Sequence, residues 1–125
     1  MLLFFLRHGD PIYSPDSLTP LGRRQAEALA RRLARYGVDQ IFASSSKRAM
    51  ETAQPACEMM KKEMTVLDWC NEAHAWAQLA LPGADGKTNW MFSQEKWRAL
   101  FVSEEVRALG RAWYTHPAFR DTQAQ

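Results

Sequence analysis

The chain has 125 residues, 46% of them hydrophobic and 24% charged, the balance of an ordinary globular protein long enough to bury a core as a single domain over residues 1–125. Sixteen Lys and Arg against fourteen Asp and Glu leave a formal charge of +2, too small to point to nucleic acid, and no stretch approaches the roughly 20 apolar residues that span a bilayer. Cys57 and Cys70 are too few for a disulfide framework, so a cytoplasmic protein with reduced thiols and no membrane or nucleic-acid partner is expected.

Leu2 to Leu6 is an unbroken apolar run that ends in Arg7, His8 and Gly9. Such a run fits a strand buried on both faces, and the charged pair would then lie at the carboxyl edge of a parallel sheet, where ligands bind in open α/β folds. Asp10 to Ser17 carries two prolines and several Asp and Ser residues, which predict an irregular loop. Thr19 and Pro20 suit the N-cap and first position of a helix; Leu21, Ala26, Leu29, Ala30 and Leu33 keep helical spacing, and Gly37 is a natural stop. The arginines between them read as a solvated outer face.

Val38 to Ala43 predicts a second strand and Ser44 to Ser46 the turn after it, so that strand, helix and strand form a right-handed parallel unit and Arg48 reaches the same edge as His8. The next helix, about Lys47 to Lys62, presents Met50, Ala53, Cys57 and Met60 on one side, with an interruption expected at Pro55. Thr65 to Leu67 predicts a third strand. Asp68 to Trp76 mixes large aromatics with polar residues, as a cleft wall does. Leu79 to Asn89 predicts a loop, Ser93 to Trp113 a single helix, and Asp121 to Gln125 a polar tail.

Taken together, these segments resemble the histidine phosphatase superfamily, the phosphoglycerate mutase-like proteins. Arg7-His8-Gly9 is similar to the RHG signature, Leu18 to Ala26 to the LTxxGxxQA helix start, and Ser44 with Arg48-Ala49 and Thr52-Ala53 to the SxxxRAxxTA segment. The resemblance covers residues 2 to about 76. It implies a three-layer α/β/α fold with a mostly parallel sheet, and a phosphomonoester hydrolase acting on a small phosphorylated metabolite or a phosphoprotein.

The residue types suit that chemistry. Arg7 and Arg48 can each donate paired hydrogen bonds to a phosphate dianion, and His8 is the implied nucleophile, forming a phosphohistidine that water hydrolyses. Glu72 stands where the family places the acid for the leaving group, with Asp68 and Glu58 as weaker substitutes. Ser14 occupies the position of an Asn that touches phosphate. No cofactor is implied, and no set of His, Cys, Asp and Glu has metal-ligand spacing. Trp69, Trp76, Trp90 and the Leu79 to Asn89 loop are candidates for substrate selection.

Family members usually continue to a further strand ending in a second His-Gly. Neither His74 nor His116 precedes a glycine, so the 125 residues are expected to be the first part of a longer domain, incomplete at the C-terminus, with an exposed sheet edge open to pairing with a second copy. A phosphate-binding or regulatory domain without catalysis, and a bare α/β scaffold, remain as alternatives. On this expectation a longer chain that supplies a C-terminal His-Gly strand turns over about 10²–10³ faster, the usual effect of one preorganised donor. Full phosphatase activity from the monomeric 125-residue chain, its mass confirmed, would show the second histidine to be dispensable.

Overall fold

The computed structural model describes residues 1–119 of an α/β chain; the polar tail expected over Asp121 to Gln125 lies outside the described residues. Contacts divide the chain into two compact units, Met1–Glu72 and Ala73–Gln125.

The first unit begins with a departure from expectation. Leu2 to Leu6 forms no strand among the described residues, and all five side chains are exposed. Phe4 lies against Tyr36, with ring centroids 5.7 Å apart. A run without alternation reads as a central strand only if strands flank it on both edges. Here the described sheets are three separate pairs.

The segment after Gly9 also differs, because it is regular. Pro11–Tyr13 (β1) and Asp16–Leu18 (β2) pair antiparallel through a tight turn at Ser14 and Pro15. The prolines sit at the start of a strand and in the turn, where a missing N–H is tolerated.

Helix α1 spans Pro20–Tyr36 as the capping residues predict: the Thr19 hydroxyl accepts from the Gly22 N–H, and Gly37 closes the helix at φ 71°. Its buried face is Gly22, Ala26, Ala30 and Leu33. Leu21, expected on that stripe, is exposed, because the chain at Gly9 and Asp10 crosses the helix at Gly22 instead.

Strand β3 (Ile41–Ser44), helix α2 (Lys47–Met60) and strand β4 (Met64–Leu67) form a parallel unit with Ile41 opposite Met64, whereas the unit expected around α1 does not form, because Leu2 to Leu6 supplies no strand to pair with β3. Helix α2 continues through Pro55, whose missing N–H removes a bond to the Glu51 carbonyl. Its buried residues are Thr52, Ala56 and Cys57, one step around from the predicted stripe. Small residues let the two helices approach closely: Ala30, Leu33 and Ala56 form a cluster against Leu29, Val38, Ile41 and Met60. Burying a side chain the size of Leu33 contributes about 1.5–3 kcal/mol.

Helix α3 (Glu72–Leu79) follows a single turn of 3₁₀ helix at Asp68–Cys70. In the second unit the predicted loop is a hairpin, Ala80–Pro82 (β5) against Thr88–Trp90 (β6), with Gly83 to Lys87 as its turn. The single helix expected from Ser93 is broken into α4 (Glu95–Phe101), α5 (Glu104–Ala108) and a 3₁₀ segment at Gly110–Thr115. Ser103 explains the first break, since its hydroxyl accepts from the Val106 N–H and two glutamates follow it, which makes a new helix start. Gly110 explains the second, with φ at 56°. The core here is Met91, Val106 and Phe119, ringed by Leu79, Leu81, Phe92, Trp97, Leu100 and Trp113.

The crossing at Gly22 generates a test. A Cβ there would lie 2.3 Å from the Asp10 carbonyl oxygen, so Gly22→Ala should destabilise the chain by the roughly 1–3 kcal/mol typical of overpacking, lowering the urea midpoint at constant m-value. An unchanged midpoint would mean that the segment is not seated on α1.

Candidate active site

The segment bearing His8 is held by its backbone. The Gly9 N–H donates to Thr52 Oγ1 at 3.0 Å, and the Asp10 N–H donates to Gln25 Oε1 at 2.7 Å. The Asp10 carbonyl accepts from the Thr19 N–H at 3.0 Å, and its carboxylate accepts from the Thr19 hydroxyl at 2.7 Å. Gly9 also lies so close to α1 that a Cβ would sit 2.6 Å from the Gly22 carbonyl oxygen. Thr19, Gly22 and Gln25 on one helix and Thr52 on the other thus converge on two peptide units. His8 follows from that seat.

The imidazole of His8 is half-buried, with Nδ1 2.7 Å from the Gly9 carbonyl oxygen. A carbonyl only accepts, so this bond requires the ring proton on Nδ1, and in the neutral ring the lone pair is then on Nε2. Arg7 is exposed. Both residues line a hollow of about 310 Å³ together with Gly9, Gln25, Ala26, Leu29 and Thr52.

Arg48 sits in the first turn of α2, just past the carboxyl ends of β3 and β4, with its side chain 12% exposed. It is not part of that hollow's lining. Its Nη1 donates to Asp16 Oδ1 at 2.9 Å and its Nη2 to Glu72 Oε2 at 2.8 Å, while the Tyr13 ring lies 5.3 Å from the guanidinium carbon. Its Nε is buried and has no hydrogen-bond partner among the described residues. The two groups of side chains are joined through Thr52, whose hydroxyl accepts from Gly9 and donates to the Arg48 carbonyl at 2.7 Å.

Asp16 has a second tie, as its Oδ2 accepts from the Lys47 N–H at 2.6 Å. Burial pushes its carboxyl up, but the Arg48 guanidinium and the Lys47 N–H outweigh that and hold it below its ordinary value of 3.8. Burial likewise acts to lower Arg48, and the Asp16 and Glu72 carboxylates reverse the direction. Glu72 is delivered by the turn after β4: Asn71 donates to Ser45 Oγ at 2.8 Å, and the Ser45 hydroxyl donates to Asp68.

Of the residues singled out in the sequence, Arg48 and Glu72 are in direct contact, Arg7 and His8 share a hollow, and Ser14 is exposed in the hairpin turn. The sequence gives no sign of a role for Asp16 or Tyr13, and it shows Gln25 and Thr52 as motif residues without their shared target. The hairpin that carries Asp16 and Tyr13 falls where the prolines predict an irregular loop. His116 is buried in the second unit, where Nδ1 accepts from the Ala118 N–H and Nε2 lies 3.1 Å from Glu105 Oε1. Among the described residues no group of three His, Cys, Asp or Glu side chains could hold a metal ion. Burial raises the Cys57 thiol, which disfavours the reactive thiolate.

The direction of the Asp16 shift fixes a pH dependence. A depressed carboxyl contributes stability above about pH 3.8 and loses it as pH falls through the lower folded value. Stability measured by urea unfolding should therefore fall more steeply below pH 4 in the parent than in Asp16→Asn. Parallel profiles would mean that Asp16 is as readily protonated folded as unfolded.

The family model of the histidine phosphatase superfamily (branch 1) matches residues 3–111. A Schizosaccharomyces pombe protein named as a probable phosphatase is 37% identical over 76 residues, 54% of this chain and 36% of that protein, so the matched part spans about a third of the relative's length. Among solved structures, Entamoeba histolytica phosphoserine phosphatase, in complex with 3-phosphoglyceric acid, aligns at a TM-score of 0.50 and 20% identity, over 78% of this chain and 50% of that one. A mycobacterial glucosyl-3-phosphoglycerate phosphatase aligns at 0.46 and 23% identity, over 85% and 67%. With a seated His8, an arginine at the carboxyl end of the parallel pair and a family match over most of its length, the chain belongs to the histidine phosphatase superfamily.

Proposed function

We propose that the chain hydrolyses phosphomonoesters through covalent attack by His8 on phosphorus. The observation that carries this reading is the 2.7 Å bond from His8 Nδ1–H to the Gly9 carbonyl, because it orients the ring and leaves the Nε2 lone pair as the nucleophile. Family membership and the phosphatase named among the relatives support the reaction class.

In the first step the Nε2–P bond forms as the P–O bond to the leaving group breaks, and Glu72, protonated from solvent before the step, gives that proton to the departing alkoxide. In the second, water attacks the phosphohistidine, the Nε2–P bond breaks, and the water proton returns to the Glu72 carboxylate. Arg7 and Arg48 hold the equatorial oxygens. Ser14, exposed in the hairpin turn, would offer its hydroxyl to a phosphate oxygen. The substrate class proposed is a small phosphorylated metabolite or a phosphoprotein.

Two substitutions test this. His8→Ala should abolish hydrolysis of p-nitrophenyl phosphate; hydrolysis at the parent rate would remove His8 from the mechanism. Glu72→Gln should slow an alkyl phosphate far more than an aryl phosphate with an acidic phenol, by part of the roughly 10²–10⁴-fold acid contribution. Equal losses on both substrates would give Glu72 a structural role.

A further inference from the structure

Arg48 meets two carboxylates that look alike in distance and differ in everything else. Asp16 is 31% exposed, is fixed on the β1–β2 hairpin, and bonds Arg48 Nη1 and the first N–H of α2 at once. Glu72 is 53% exposed and, among the described residues, holds Arg48 through Nη2 alone. Asp16 therefore ties the guanidinium to the helix that carries it, with Tyr13 from the same hairpin over its face. Glu72 occupies the one terminal nitrogen that remains.

We propose that Asp16 is a positioning residue, which stays on Nη1 and holds Arg48 in the phosphate-binding orientation, and that the substrate's phosphoryl group takes Nη2 by displacing Glu72. This deepens the phosphatase reading and rests on it. Exchange at Nη2 places the incoming phosphate and the released carboxyl side by side, so the acid arrives at the leaving group only when substrate is bound. A dianion competes well for that nitrogen because it brings more charge than the single carboxylate it replaces. It competes poorly for Nη1, where Asp16 has two donors and lower exposure.

The assignment has a signature that simple charge removal does not. Asp16→Asn and Glu72→Gln each delete one negative charge beside Arg48, and charge alone would tighten anion binding in both. With Asp16 as the positioning residue, inorganic phosphate should bind Glu72→Gln several-fold more tightly than the parent and Asp16→Asn several-fold more weakly, and Asp16→Glu should recover part of the loss. Tighter binding in both variants overturns the role of Asp16 while leaving the phosphatase reading intact. No phosphate binding by the parent overturns both. Should Asp16→Asn fail to fold, the unaltered chain decides by carboxyl ¹³C NMR: phosphate titration should move the Glu72 resonance and leave that of Asp16 in place, and the reverse pattern excludes the proposal.

Discussion

The first unit depends on the seating of two peptide groups, those of Gly9 and Asp10, against two helices. Hydrogen bonds from Thr52, Gln25 and the Thr19 backbone converge there, another joins the Thr19 hydroxyl to the Asp10 carboxylate, and the paired glycines Gly9 and Gly22 leave no space for a side chain between chain and helix. Each bond contributes only about 0.5–1.5 kcal/mol net, and the buried one, from the Gly9 N–H to Thr52, costs more if left unpaired. It sets the direction in which His8 leaves the backbone and, through the Thr52 hydroxyl, its registry with Arg48.

Electrostatics supply the second constraint. A largely buried guanidinium without partners would be costly, and Arg48 is balanced by one carboxylate from a hairpin and one from the start of α3. The pair with half-exposed Glu72 is screened and is worth about 0–1 kcal/mol, which makes it the easier one to exchange for an anion. Stability and ligand recognition thus use the same side chain, with the stronger contact holding it and the weaker one open to replacement.

Much of this was legible in the sequence because it is local. The Thr19 cap, the Pro20 start and the Gly37 stop follow from capping chemistry and short-range periodicity, whereas the parallel pairing of β3 with β4 does not. The motif residues Thr19, Gly22, Gln25 and Thr52 were visible as a pattern, yet their common target, the Gly9–Asp10 backbone, was not, since a contact between segments 43 residues apart leaves no periodic trace. The fate of Leu2 to Leu6 was misread for a related reason: strand formation depends on neighbours that hydrophobicity cannot supply. Asp16 was hidden by prolines that signal a loop but here frame a hairpin.

The proton on His8 Nδ1 makes a claim about one atom, and it can be read directly. A rapid quench of the chain with a phosphomonoester, in alkaline denaturant that preserves phosphoramidates, followed by digestion and ³¹P–¹⁵N NMR, locates the transferred phosphoryl group. Phosphate on Nε2 of His8 is the result this geometry predicts. Phosphate on Nδ1, or on any other residue, would contradict it.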